Sequence, residues 1–382
     1  MSTAAEGRPL QHSAAARRAR AALVRAPHTP FLIEDIEVAE PRNDEILVRI
    51  HGTGICHTDL VARDGFPVPM PIVLGHEGAG VVEAVGAGVS HLKVGDHVVL
   101  SFNHCGSCSN CHQNEPAYCQ HFFPLNFGGQ RLDDGSTGLS QGGEKVYGHF
   151  FDQSSFASLA LARARNAVKI DPSLPLALMG PLGCGIQTGA GAVINSLKLR
   201  AGDAIAFFGG GAVGLSGVMA ARALGAAHII VVEPNAQRRA LALELGATAA
   251  IDPKAQDDVV AAVKAAGPGG VHRALDTTGI PAVIGTAAET LLSNGMLGLL
   301  GVSPMEATLP INIMSLAMRG AGVKAILEGD SDPQVFIPQL IALYQAGRFP
   351  FDRLIKTFPF DQINEAAQAS EDGSVVKPVI VF

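Results

Sequence analysis

The sequence predicts a two-domain α/β protein: a small, irregular β domain, interrupted by a doubly wound parallel sheet and resumed after it. Three observations carry that expectation. The 382 residues are too many for one hydrophobic core. The first half is rich in Val, Ile and Leu but broken by turn-forming glycines, whereas strands and helices alternate from about residue 200. A glycine fingerprint stands at the first of those strand-to-helix junctions. With 47% apolar and 16% charged residues the composition is that of a globular protein, and a net charge of -7 offers no attraction for nucleic acid or an anionic membrane.

Residues 1–20, rich in Ala, Arg and Ser, lack the apolar stretch of a secretory signal and are expected to be a disordered leader on a cytoplasmic protein. The longest apolar run, 205–221, is short for a membrane span and stops at Arg222. The β domain is expected over 21–185, with strands at 45–53, Gly78–Val85 and 97–102 separated by Gly75, Gly86, Gly88 and Gly95-Asp96. One stretch near its start, Gly54-Ile55-Cys56-His57-Thr58-Asp59, sets a soft metal ligand, an imidazole, a hydroxyl and a carboxylate side by side at a strand end.

Six cysteines without a secretory signal read as thiolates held for metal. Four of them, Cys105, Cys108, Cys111 and Cys119, fall in one short polar lobe, 103–120, whose spacing fits a closed tetrahedral zinc; two disulfides or an iron–sulfur cluster are the alternatives. Residues 121–147 read as one long Gly-rich loop, a wall or lid near the substrate.

The second domain is expected over 186–325. A buried strand, 203–208, runs into Gly209-Gly210-Gly211-Ala212-Val213-Gly214, then the helix Ala212–Leu224, then the strand His228–Val232 ending at Glu233. Gly209, Gly211 and Gly214 permit a tight turn and close approach of backbone to a pyrophosphate, and an acidic residue at this distance suits an adenosine ribose. Further strands at Ala249–Ile251, Val271–Asp276, 296–302 and 322–326 complete six, for which the order 3-2-1-4-5-6 is usual. Residues 326–382 carry a helix at 335–346 and end in a strand, 378–382, that is expected to rejoin the first domain.

With four cysteines assigned, Cys56 and Cys184 remain, and a catalytic zinc with three protein ligands and an open position needs one His besides them. His76, beside the carboxylate of Glu77 in Gly75-His76-Glu77-Gly78, is the best placed.

These segments, in this order and together with Gly183-Cys184-Gly185, resemble the zinc-dependent medium-chain alcohol dehydrogenases over residues 21–382. Through His121-Phe122-Phe123-Pro124-Leu125-Asn126-Phe127 and Gly148-His149-Phe150-Phe151-Asp152-Gln153-Ser154-Ser155-Phe156 the chain is most similar to the aryl, benzyl-type branch. The resemblance implies a GroES-like β domain and a Rossmann-type domain, and two zinc ions per chain. Cys56, His76 and Cys184 would hold the catalytic one, Asp59 would bond the His76 ring, Glu77 would approach the metal from behind, and Thr58 would take the alcohol proton. Thr188 and Val213 would press the nicotinamide into position, His57 and Lys377 would face the pyrophosphate, and Ala212, Arg238 and Val302 would also bind the cofactor. Phe66, Phe102, Leu300 and Ile326 would wall the substrate pocket. The implied activity is reversible, NAD-dependent oxidation of a primary aromatic or bulky allylic alcohol by hydride transfer from a zinc alkoxide, in a homodimer or homotetramer paired around 301–313.

Two positions depart from the family pattern. His57 stands where an Arg often holds the pyrophosphate, and Val61 where a His often ends the proton relay. Cofactor choice turns on Glu233, whose carboxylate repels a 2′-phosphate and favours NAD; Arg238 and Arg239 act the other way. The rival readings are a formaldehyde dehydrogenase acting on a thiol adduct and a non-catalytic, zinc-stabilised nucleotide-binding protein. Thr58, Asp59 and Glu77 around an open metal position argue against the second.

Overall fold

A computed structural model of the protein describes residues 16–382. Most of the expected leader, 1–15, lies outside the described residues. Its end is not a leader: the strand Arg17–Val24 pairs antiparallel with Leu32–Val38, from Arg17 opposite Val38 to Leu23 opposite Leu32. The Arg/Ala alternation that resembles a polar tail is the period of a half-buried strand, with Ala19 and Ala21 inward and Arg18 and Arg20 outward.

Two sheets build the first domain. One, in spatial order, holds Ile72–Val73, Arg17–Val24, Leu32–Val38, Leu139–Gln141 and Glu144–Val146. The other runs Ala167–Ile170, His97–Leu100, Gly78–Val85, Glu45–Gly54, Lys377–Val381 and Ile355–Pro359, with Leu159–Arg163 also paired to Glu45–Gly54. The C-terminal strand joins here because Val379 lies opposite Gly54, which carries Lys377 to the start of the Cys56 turn. Residues 121–147 are not one loop. They form the helix Phe122–Phe127 and a hairpin whose turn, Gly142-Gly143, adopts positive φ (57° and 84°), and buried Arg131 is clamped to Glu45 at 2.6 and 2.9 Å. The strands are too short for their period to show in sequence.

The second domain is a six-stranded parallel sheet in the order Ala249–Ile251, His228–Val232, Ala204–Phe208, Val271–Asp276, Leu291–Leu299, Gly322–Ala325, which is the 3-2-1-4-5-6 arrangement. The central strand Ala204–Phe208 is wholly buried and delivers the chain to Gly209 at φ 106°, a conformation that favours glycine. A side chain at Gly214 would meet the Gly209 carbonyl oxygen at 2.1 Å, so the helix Ala212–Leu224 packs onto the turn only with glycine there. One apolar core runs under that helix into the first domain, joining Leu215 and Phe207 to Met179, Val168 and Phe336. No single described helix is long and apolar enough to cross a membrane.

Candidate active site

The site lies where the two domains meet, and its residues arrive on three separate segments. Cys56 caps the helix His57–Arg63, with its backbone N–H donating to Asp59 Oδ2 at 2.9 Å. The other oxygen of Asp59 accepts from Gly75 N at 3.0 Å and pairs with His76 Nδ1 at 2.9 Å. One buried carboxylate thus ties the Cys56 turn to the His76 turn. A proton on Nδ1, given to Asp59, leaves Nε2 with a free lone pair, and Nε2 is a buried ring nitrogen with no hydrogen-bond partner. The ring is stacked on Phe151 at 4.4 Å, and its backbone carbonyl accepts from Gln153 Nε2 at 3.0 Å.

Cys184, at the head of the helix Gly185–Gly191, brings the third segment. The ligand atoms of Cys56, His76, Glu77 and Cys184 all lie within 4.8 Å of one another. The neighbouring Cys184 thiol and the His76 ring together outweigh burial and hold the Cys56 thiol well below its ordinary range. Two thiols and an unpartnered imidazole nitrogen are a donor set that fits a zinc ion with an open position. Glu77 is engaged elsewhere: Lys377 Nζ bonds both its oxygens at 2.9 Å, and Gly185 N donates to Oε1 at 3.1 Å. Thr58 Oγ1 sits 3.8 Å from Cys56 Sγ.

A cavity of about 970 Å³ opens beside these residues. Cys56, His57, Val61 and Phe66 line one end; Gly209, Gly211, Ala212 and Val213 line its middle; Glu233, Arg238 and Lys254 line the other end. Its volume, its glycine turn and the carboxylate of Glu233 suit a dinucleotide. Glu233 accepts from Gly210 N at 2.6 Å and from Asn235 N at 2.8 Å, so the carboxylate is fixed against the turn. Arg239 is held on Asp252 at 3.0 Å and on the Glu233 carbonyl at 2.8 Å, whereas Arg238 keeps a buried Nε without a partner.

Several expected positions fall elsewhere. Lys377 reaches the cavity wall, but its ammonium is spent on Glu77 and the Ile55 carbonyl rather than on a free anion site. Burial works against its charge, yet Glu77 and Cys56 hold it well above its usual range. Val302 does not line the cavity: the strand ends at Leu299, and Gly301 turns against Gly279, carrying Val302 to the surface. Of the four residues proposed to wall the substrate pocket, only Phe66 lines the cavity. Phe102 is buried against Phe122, Ile326 covers Gly298, and Leu300 packs on the shared core. Thr188 is turned to Glu328, with Oγ1 3.3 Å from Oε2.

Sequence reasoning missed Phe127, Phe151, Gln153 and Glu328. Phe151 and Gln153 sit in a segment with positive φ at His149, Phe151, Asp152 and Ser154, a local conformation with no periodic signature. A carboxylate between apolar Leu327 and Gly329 was the one signal for Glu328.

The second cysteine cluster is compact. Cys105, Cys108, Cys111 and Cys119 offer sulfurs within 4.8 Å of one another, with 3.5 Å between Cys108 and Cys111 and 3.9 Å between Cys105 and Cys111, and none is disulfide-bonded. These separations suit four sulfurs around one ion and exclude S–S bonds in this arrangement. Burial pushes the Cys105 thiol up, but N–H groups of Ser107 and Cys108 hold it down at about 5.

Fold and site together define a two-domain dehydrogenase with a metal-binding cleft. Residues 42–172 match the alcohol dehydrogenase GroES-like domain and residues 212–345 the zinc-binding dehydrogenase domain. The chain is 55% identical over 364 residues to a geraniol dehydrogenase of Castellaniella defragrans, covering 95% of this chain and 98% of that one. Its fold is similar to that of the benzyl alcohol dehydrogenase of Acinetobacter calcoaceticus (TM-score 0.93, 44% identity, 96% of this chain and 99% of that one). It is similar too to that of an alcohol dehydrogenase zinc-binding domain protein of Burkholderia ambifaria (TM-score 0.94, 53% identity, 96% and 99%). The chain belongs to the zinc-dependent medium-chain alcohol dehydrogenases, enzymes that combine zinc with a nicotinamide dinucleotide.

Proposed function

We propose that this alcohol dehydrogenase oxidises a primary aromatic or bulky allylic alcohol to its aldehyde with NAD, reversibly, at a zinc ion held by Cys56, His76 and Cys184. One observation carries the reading: the buried, unpartnered Nε2 of His76 lies with two thiols, one of which, Cys56, lines the cavity that also holds the glycine turn and Glu233. Zinc held there supplies Lewis acidity that lowers the pKa of an alcohol hydroxyl. The chain does the rest. Asp59 fixes the tautomer and tilt of His76, and Lys377 neutralises Glu77 so that this carboxylate adds no net charge behind the ligands. Thr58, beside Cys56, takes the hydroxyl proton. Val61 lines the cavity where a base could stand, which leaves exposed His57 as the ionisable neighbour able to pass the proton to water. The turn from Gly209 to Gly214 aligns the dinucleotide so that its ring meets the reacting carbon.

Support for an aromatic or allylic substrate comes from a run of rings ending at the metal site: Phe66 to Phe127 at 5.2 Å, Phe127 to Phe151 at 5.1 Å, Phe151 to His76 at 4.4 Å. The similarity to a geraniol dehydrogenase and a benzyl alcohol dehydrogenase points the same way. A panel of benzyl, cinnamyl, terpenoid and short aliphatic alcohols, followed through NADH absorbance, is expected to give kcat/KM at least about tenfold higher for the unsaturated alcohols than for ethanol. Equal values would remove the substrate assignment.

NAD is favoured because Glu233 is fixed at the ribose end, where it would repel a 2′-phosphate. Equal kcat/KM for NAD and NADP would overturn that choice. Cys105, Cys108, Cys111 and Cys119 would hold a second, structural zinc. The exposed apolar surface of Met305 (94% exposed), Ile313 (83%) and Met318 (79%) supports pairing of subunits through this stretch, and light scattering should show a dimer or tetramer.

A further inference from the structure

One face of the His76 imidazole is covered by an aromatic ring. Phe151 is stacked on it with ring centroids 4.4 Å apart and planes 22° from parallel. The backbone that carries Phe151 there takes an unusual path. His149, Phe151, Asp152 and Ser154 all adopt left-handed conformations (φ 56°, 48°, 51° and 48°), a region that favours glycine. A strained run of this kind persists only where its surroundings over-determine it, and such runs gather at functional sites.

The surroundings do fix it. Asp152, 4% exposed, pairs through Oδ1 with His149 Nδ1 at 2.5 Å. Its Oδ2 accepts from Asn103 Nδ2 at 2.9 Å, with Arg163 Nε 3.8 Å away. Ser154 Oγ donates to the Val73 carbonyl at 2.6 Å and accepts from Phe150 N at 3.0 Å. Gln153, on the same run, accepts from Gly78 N and donates to the His76 carbonyl, both at 3.0 Å. Phe127 and Phe150 pack against the Phe151 ring, each with its centroid 5.1 Å away and its plane steeply inclined. The brace therefore reaches Phe151 from several segments, and no part of it is a metal ligand.

What it does to His76 follows from the shape of an imidazole. The contact of Nδ1 with Asp59 at 2.9 Å fixes one ring atom, but the outer torsion of a histidine is soft, and the plane can still rock about that contact. A flat partner on the ring face removes this freedom and so fixes where the Nε2 lone pair points. Resting on the zinc reading above, we propose that Phe151 is a positioning residue for the open metal site: its ring sets the plane of His76, and buried Asp152 holds Phe151 at that setting.

The test compares the zinc-loaded chain with Phe151→Leu, which stays apolar but has no flat face. Competition with a chelator reads zinc at the open site and in the cysteine lobe, and the visible bands of cobalt placed at the open site read the ligand geometry there. Phe151→Leu is expected to weaken metal at the open site about tenfold and to shift the cobalt bands, with the lobe's affinity unmoved. Equal weakening at both sites, or an open site with unmoved affinity and unmoved cobalt bands, overturns the proposal. Should Phe151→Leu not fold, Asp152→Asn decides, because it leaves Phe151 and every ligand in the chain. A loss of at least about threefold at the open site alone supports the brace, and no loss overturns it. A wild-type chain that holds no metal at Cys56, His76 and Cys184 brings down the zinc reading itself, whereas metal held equally well by wild type and variants brings down only the role of Phe151.

Discussion

The two cysteine clusters gather their ligand atoms equally tightly, yet they are built in opposite ways. The lobe at Cys105–Cys119 comes from one short stretch of chain, three of its cysteines are half-buried and Cys119 is buried, and backbone N–H groups of its own turns bond to its sulfurs. The cluster at Cys56, His76 and Cys184 comes from three distant segments, and His76 is held at its ring by Asp59 and Phe151 and at its backbone carbonyl by Gln153, which belong to none of the ligand positions. Four sulfurs close a coordination shell, whereas two sulfurs and one nitrogen leave it open toward a cavity. A local, closed site can steady a loop; an assembled, open one can do chemistry, provided the fold fixes each ligand from outside.

Changes at the open site should therefore destroy activity and spare the fold. Cys184→Ser is expected to lower kcat for a good aromatic alcohol by roughly 10³-fold or more, with the circular dichroism spectrum and the thermal midpoint nearly unchanged. A variant that keeps a tenth of the activity would show that Cys184 does not hold the working metal. The closed site should behave the other way. Cys108→Ser is expected to lower Tm by roughly 5 °C or more while the folded fraction stays active, read by calorimetry and by residual rate at low temperature. Asp59→Asn, which leaves the metal ligands themselves intact, should weaken zinc at the open site about 10- to 100-fold without moving the lobe's affinity, as competition with a chelator would measure. The smallest effect belongs to the proton path. Val61→His should raise the oxidation rate two- to tenfold between about pH 6.5 and 8, where a neutral imidazole can take a proton that hydroxide is too scarce to take. An unchanged pH–rate profile would place the acceptor elsewhere.

The same contrast explains what could be read from sequence. The Cys lobe and the run Gly209 to Gly214 are contiguous, their chemistry depends on spacing along the chain, and the strands His228–Val232, Ala249–Ile251 and Val271–Asp276 fall where β-branched and apolar runs place them. The cofactor end at Glu233 is legible for the same reason. The inner surroundings of the open site are not. Phe151 and Gln153 reach His76 through a backbone of positive φ, Glu328 reaches Thr188 across 140 residues, and the Lys377 ammonium is captured by Glu77 from 300 residues away. Strand ends were the other weak point: Leu291–Leu299 stops three residues before Val302, which lies at the surface rather than at the expected cofactor site.

Counting zinc in the purified chain and in His76→Ala, alongside the rate of cinnamyl alcohol oxidation, tests the central claim most directly. Two zinc ions per wild-type chain, and a variant that is folded, inactive and left with one ion in the lobe, is the predicted result. One zinc per active wild-type chain, or a His76→Ala variant that retains both ions and its activity, would contradict it.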